Sequence, residues 1–272
     1  MVTPPHGFFL VASLEEHAAG ATFAVRRGGE VFVCKRLSER ARADDGARQR
    51  LVDEGRALDA LAGRGAPALV ARGEDDAGPF VVMQRVAMAT LAAHAGAARD
   101  AAWVAAAARS TFEAMARVHE AADAKGPLSM VHADVSPTNV LVANDGHAAA
   151  FVDFGLARWR DAVAEASSAF RGTIAYAAPE LARGERIDAR ADLFALAASL
   201  LHATSGTPPR PALPAPALLA IAGDAPIETW GASAASTLPT PLARVLVACV
   251  SHTADARPAT AREALRRAIS AE

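Results

Sequence analysis

Lysine is nearly absent from this chain. Of its 28 lysines and arginines, only Lys35 and Lys125 are lysines. Cysteine is equally scarce. Cys34 and Cys249 lie far apart among apolar neighbours, which reads as two buried, reduced thiols rather than a bridge and fits a reducing compartment. No apolar run approaches ~18 residues, so no membrane-spanning helix is expected in this stretch. Residues 1–7 have neither a basic segment nor a long apolar one, so no signal peptide is expected, and the expected location is cytoplasmic. A net charge of −2 supplies no bulk field to draw nucleic acid or an anionic membrane surface. No Cys/His cluster has the spacing of zinc ligands. Aromatics are only 5% of the chain, so its core must rely on close packing of small side chains, above all alanine.

What is present is globular: 272 residues, 52% hydrophobic and 21% charged, enough for one large domain or two lobes. Short strands are expected at 8–11, 21–25 and 30–35, with a hairpin turn at 26–29. The stretch 14–20 reads as a loop. A helix is expected over 44–62, where Leu51, Leu58 and Leu61 share a face and Gly63 follows. Strands at 69–72 and 79–84 would complete a five-stranded antiparallel sheet with one helix. From residue 99 onward the pattern is helical, with helices expected over 100–122, 188–204, 241–250 and 259–270. His119, near the end of the first of these, is given a structural role. The polar, Ala-rich stretch 158–169, with Ser167 and Ser168, reads as an exposed mobile segment. The Pro-rich stretch 207–216 reads as a surface loop, with a docking peptide for an aromatic groove as the alternative. No internal repeat is found.

The chemistry concentrates in Met130-Val-His-Ala-Asp-Val-Ser-Pro-Thr-Asn-Val-Leu-Val142 and in Asp153-Phe-Gly155 shortly after it. The first presents a carboxylate, Asp134, and a carboxamide, Asn139, on one loop. The second brings another carboxylate, Asp153, to the end of the strand at 149–152. Two carboxylates and an amide oxygen are hard ligands that suit Mg²⁺ together with a polyphosphate.

The spacing Asp-x-x-x-x-Asn followed by Asp-Phe-Gly resembles the catalytic and metal-binding loops of protein kinases. So does Gly172-Thr-Ile-Ala-Tyr-Ala-Ala-Pro-Glu180, which is similar to the segment that positions a peptide substrate. The resemblance covers about residues 8–270. It implies an α+β, two-lobed kinase fold in a single domain over 1–272. A small five-stranded lobe (1–85) with one helix would join a larger, mainly helical lobe (91–272) through a hinge at 86–90. It implies an ATP- and Mg²⁺-dependent (Mn²⁺ as substitute) transfer of phosphate to Ser/Thr hydroxyls of protein substrates. Asp134 would orient the hydroxyl and accept its proton, and Asn139 and Asp153 would hold the metal. Lys35, in a chain that otherwise uses arginine, would hold the α- and β-phosphates as a compact point charge, fixed by Glu54. Asp53 is the rival acid, about 100° round the same helix. Gly20, Thr22, Val33, Met83, Gln84, Val86 and Leu141 would line the nucleotide slot, with Met83 at the gatekeeper position. Thr173 would bond the catalytic aspartate, Glu180 would need Arg257 as a buried partner, and Asp192 would brace the catalytic-loop backbone.

Three departures from the family pattern matter. Of the three loop glycines only Gly20 is kept; Glu15 and His17 stand at the other two positions, which restricts backbone approach to phosphate and adds charge. Ser136 stands where Ser/Thr kinases carry a lysine for the γ-phosphate. Ala133 replaces the arginine before the catalytic aspartate, so phosphorylation of Ser167 or Ser168 has no cation there to order the segment. Two alternatives follow: a pseudokinase that binds nucleotide as a scaffold or regulator, and a small-molecule phosphotransferase of kinase-like fold, against which the segment Gly172–Glu180 argues.

Overall fold

A computed structural model describes residues 3–17, 19–95, 100–160 and 172–269. Its first layer is an antiparallel sheet of β1 (Phe9–His17), β2 (Gly20–Arg27), β3 (Glu30–Leu37), β4 (Leu69–Asp75) and β5 (Gly78–Gln84), in the order β1-β2-β3-β5-β4. Helix α1 (Asp45–Leu61) packs across it. Alternation along β3 sets the two faces. Phe32 and Cys34 join Phe8, Phe23, Val25 and Val82 in a small core on one side. Val31, Val33 and Lys35 line the cleft on the other.

The larger layer is helical. After β6 (Ala89–Thr90) come α2 (Leu91–Ala95) and α3 (Ala101–His119), then a short hairpin of β7 (Ala122–Asp123) and β8 (Gly126–Pro127). The pair β9 (Val140–Val142) and β10 (Ala149–Phe151) forms a second sheet with β6. Helices α4 (Pro179–Ala182), α5 (Ala189–Ser205), α6 (Ala215–Asp224), α7 (Glu228–Ala234), α8 (Thr240–Cys249) and α9 (Ala261–Ile269) complete it. Helix α5 is apolar nearly all round, with Leu193, Phe194, Leu196, Leu200 and Leu201 all buried, so it forms the axis of this layer. A single core runs from Leu51, Leu58 and Met83 of the first layer through Phe112 and Met115 to Leu196 and Leu246.

Local chemistry explains the element ends. The Asp44 side chain accepts from the N–H groups of Gly46 and Ala47 to start α1, and Asp188 does the same for Arg190 at the start of α5. Helix α1 ends on Ala62, which takes the left-handed conformation (φ 49°) one residue before the expected stop at Gly63. Three expectations are corrected. The stretch 14–20, read as a loop, is largely strand: β1 continues to His17, with Glu15 opposite Thr22 and Glu16 opposite Ala21. The Pro-rich stretch is exposed over residues 211–217, but Arg210 within it is buried, and α6 already begins at Ala215, where a proline fits the first turn. Helices α2, α4, α6 and α7 lie outside the expected helices. Ser167 and Ser168 lie outside the described residues. Among the described residues no helix is long and apolar enough to cross a membrane.

Candidate active site

Lys35 sits on the cleft face of β3 and reaches the buried Glu54 of α1. Its Nζ is 2.7 Å from Glu54 Oε1 and 3.3 Å from Asp153 Oδ1. Helical geometry settles the choice between the two adjacent acids: Asp53 turns away and takes Gln49 and Arg56 as partners. Burial weakens the lysine's charge, but the two carboxylates outweigh it and raise its pKa. Burial pushes the Glu54 carboxyl up to about 7 against the pull of Lys35. Lys35 holds Asp153 below its ordinary range, and that group remains ionised, half-exposed to the cleft. Lys35, facing two carboxylates, thus keeps its charge between the buried Glu54 and the cleft-facing Asp153.

Two residues hold unusual backbone conformations beside this triad. Ala133 and Asp153 are left-handed, at φ 63° and 68°, a strain that the surroundings must fix. Asp192, buried on α5, does so for the first. Its carboxylate accepts the N–H of His132 at 2.7 Å, the N–H of Ala133 at 2.9 Å and His119 Nε2 at 2.9 Å. His132 secures the second. Its Nδ1 accepts from the Asp134 N–H, its Nε2 bonds the Val152 carbonyl at 3.0 Å, and its ring lies 4.6 Å from that of Phe154. Both functional loops are thus tied to one helix and to each other. Sequence reasoning gave His132 no role, and only its closeness to Asp134 signals one.

Asp134 faces the same cleft. Oδ1 accepts the Thr173 N–H at 2.7 Å, and Oδ2 accepts Asn139 Nδ2 at 3.1 Å. Burial raises its pKa, while bonds from Thr173 resist. A side chain on Gly172, itself at φ 117°, would press on the Asp134 carboxylate. Asn139 Nδ2 also donates to the Asp134 carbonyl, which leaves its amide oxygen as an open acceptor. That oxygen and the Asp153 carboxylate are hard oxygen donors that would suit a divalent cation completing its shell with phosphate and water. Among the described residues no group of three or more His, Cys, Asp or Glu could hold a metal unaided.

The cleft has a volume of about 1340 Å³. Gly20, Thr22, Val33, Met83, Gln84, Val86 and Leu141 all line it, with Lys35, Glu54, Asp134, Asn139, Asp153 and Thr173. Gly20 has a structural reason to be glycine: any side chain would collide with the Arg36 carbonyl oxygen of β3. Ser136 is not brought to the cleft. It is completely buried and bonds Thr138 Oγ1 at 2.9 Å, and Thr138 is the residue that lines the wall. Glu180 and Arg257 meet in a buried, bidentate pair at 2.6 and 2.9 Å, remote from the cleft lining.

A five-stranded lobe over a helical one, with this lysine–glutamate–aspartate constellation between them, defines the protein-kinase fold. The chain belongs to the protein kinase domain family, whose model matches residues 18–267. Among curated proteins it is 39% identical over 102 residues to the serine/threonine-protein kinase PknF of Mycobacterium tuberculosis, covering 36% of this chain and 21% of that protein. It is 38% identical over 93 residues to the tyrosine-protein kinase MasK of Myxococcus xanthus, covering 34% and 14%. The matches therefore span about a fifth or less of those relatives' length. Among solved structures, the kinase domain of PknI from M. tuberculosis superposes with a TM-score of 0.64 at 25% identity, over 96% of this chain and 94% of that one.

Proposed function

We propose that the chain is a protein-serine/threonine kinase domain that transfers the γ-phosphate of ATP to hydroxyls of protein substrates in the presence of Mg²⁺. One observation carries this reading: Asp134, held by Thr173 and Asn139, opens on the same cleft as the formed Lys35–Glu54–Asp153 triad. In this reading Asn139 and Asp153 hold the cation, whose chemistry is to neutralise charge on the phosphates. Lys35 positions the α- and β-phosphates. The Asp134 carboxylate accepts a hydrogen bond from the substrate hydroxyl, orients it and takes its proton as the new O–P bond forms and the bond from the γ-phosphorus to the bridging oxygen breaks, releasing ADP. Without a lysine near the γ-phosphate, transfer is expected to be about one to two decades slower than with it. Activity is expected not to require phosphorylation of Ser167 or Ser168. Cytoplasmic location belongs to the same reading.

The pseudokinase reading has one observation in its favour. The β1–β2 hairpin is strand-paired out to His17 and Gly20, so the place of a phosphate-covering loop is taken by ladder. Transfer of labelled γ-phosphate from Mg-ATP to the protein itself and to both an acidic and a basic generic protein decides between them, with Asp134→Asn and Asp153→Ala in parallel. The kinase reading expects incorporation that disappears in both variants. A wild type that incorporates nothing, yet melts higher with Mg-ATP, would establish the scaffold instead.

A further inference from the structure

Among the described residues, Arg210 is a buried cation with no carboxylate partner. It stands between prolines in the stretch leading to α6 and is only 3% exposed. Its Nη1 donates to the carbonyls of Ala175 (2.8 Å) and Ile174 (3.5 Å), and its Nη2 to that of Ala222 (3.3 Å). The buried Nε has no partner, and the guanidinium lies 5.6 Å from the Phe194 ring centre. Burial lowers its pKa to about 10, so it is charged at neutral pH. Among the described residues no carboxylate forms an ion pair with it.

The buried acids of the neighbouring segments are committed elsewhere, and Asp224 at the end of α6 is exposed. Glu180 is closed by Arg257, and Asp192 by His119 and two backbone N–H groups. The remaining group on the turn Ile174–Tyr176 is the Tyr176 hydroxyl, which bonds His202 Nδ1 at 2.6 Å. Burial lowers the His202 pKa, which keeps that imidazole neutral. Among the described residues, the turn next to Thr173 and Asp134 therefore rests on a positive charge met by carbonyl dipoles rather than by a carboxylate. A charge held in a poorly screened interior acts on what docks above it.

We propose that Arg210 sets substrate choice, so that the protein docks segments carrying an acidic side chain close to the acceptor hydroxyl and disfavours basic ones. This rests on the kinase reading in taking the segment 172–180 as the peptide-docking face. Arg210 acts through the Ile174–Tyr176 turn and is a positioning residue.

The test uses fluorescein-labelled threonine peptides with Asp, Ala or Lys scanned at each position within three residues of the threonine. Anisotropy measures binding to Asp134→Asn protein, and transfer is followed with the wild type. At least one Asp position should bind and react about tenfold better than its Lys counterpart, with the gain in KM rather than kcat. Arg210→Gln keeps an N–H donor for the carbonyls, removes the charge, and should level the ratio. Should that variant lose its cooperative melting, His202→Glu places a carboxylate under the same turn and should lower the ratio. Acidic selectivity in binding with no transfer to any peptide would sink the kinase reading and leave this inference standing. Transfer at a ratio of one or below, or a ratio unchanged in a folded variant, would overturn the inference and leave the kinase reading standing.

Discussion

Glu180 is the residue whose isolation would be most damaging. It is buried, and both carboxylate oxygens are taken by Arg257, which also bonds the carbonyls of Ser251, His252 and Arg190 and lies 4.8 Å from the Phe194 ring centre. A buried pair adds little over apolar residues of the same shape, but removing one member leaves a charge stranded. Arg257→Ala should therefore cost about 3–5 kcal/mol in urea unfolding. Adding Glu180→Gln should recover part of it and not all, because three carbonyls also lose their donor. A single variant within 1 kcal/mol of wild type would mean the pair is open to water. This partnership was legible across 77 residues of sequence because an acid in Ala-Pro-Glu requires a late arginine. Arg210 was not legible, since an arginine among prolines looks like a surface residue. The burial of Ser136 was hidden for a similar reason: spacing places a residue on a loop without saying which way its side chain turns.

At the scale of elements, the sheet was readable where side chains alternate and opaque where they do not. The alternation of β3 gave its start at Glu30 and fell two residues short of its end at Leu37. The edge strand β1 carries exposed Phe9, Leu10, Val11 and Leu14 and breaks register at two places, so its pattern has no clean period and its second half read as loop. Helices α6 and α7 stayed hidden because they are short and lie behind proline-rich sequence, where composition argues for a loop. One contact that no pattern announced ties β3 to the β4–β5 turn. Arg36, 5% exposed, makes two bonds to Asp75 at 2.6 and 2.8 Å and one to the Gly78 carbonyl. The Arg36 bonds hold the Asp75 carboxyl below its ordinary range. A carboxylate with a depressed folded-state pKa adds stability above its unfolded pKa, about 3.9, and loses it as pH falls through the folded value. Asp75→Asn should thus be less stable at pH 7 by about 1–3 kcal/mol, the range for an under-satisfied buried donor. The gap should narrow steadily below about pH 4. Melting curves from pH 7 to pH 2 test this, and a gap that stays constant across that range would contradict it.

The whole molecule is held by a core that crosses the cleft and by a few ties behind it. The Phe151 N–H of β10 donates to the Gly65 carbonyl at 2.8 Å. Arg64 closes the carbonyls of Ala60 and Leu61 at the end of α1 and reaches the Ala122 carbonyl in the helical lobe. Lobes joined this way should unfold together, yet local opening need not be uniform. The two cysteines report on it from opposite ends. Cys249 lies in the large shared core, and Cys34 in the small cluster on the far side of the sheet, covered only by Phe8, Phe23, Phe32 and a few neighbours. Burial pushes both thiols up to about 12, so neither reacts at neutral pH until its surroundings open. The five other buried residues of its cluster, with Ala21, Val70, Ala71 and Phe80 packed against them, are a smaller barrier than the continuous core around Cys249. Native-buffer labelling with a thiol-specific reagent, read by peptide mass spectrometry, should modify Cys34 well before Cys249. In rising urea the Cys249 signal should follow the global transition, while Cys34 precedes it. Equal rates for both thiols at every urea concentration would mean that the sheet opens only with the whole molecule, and that the small cluster is as firmly held as the core beneath it.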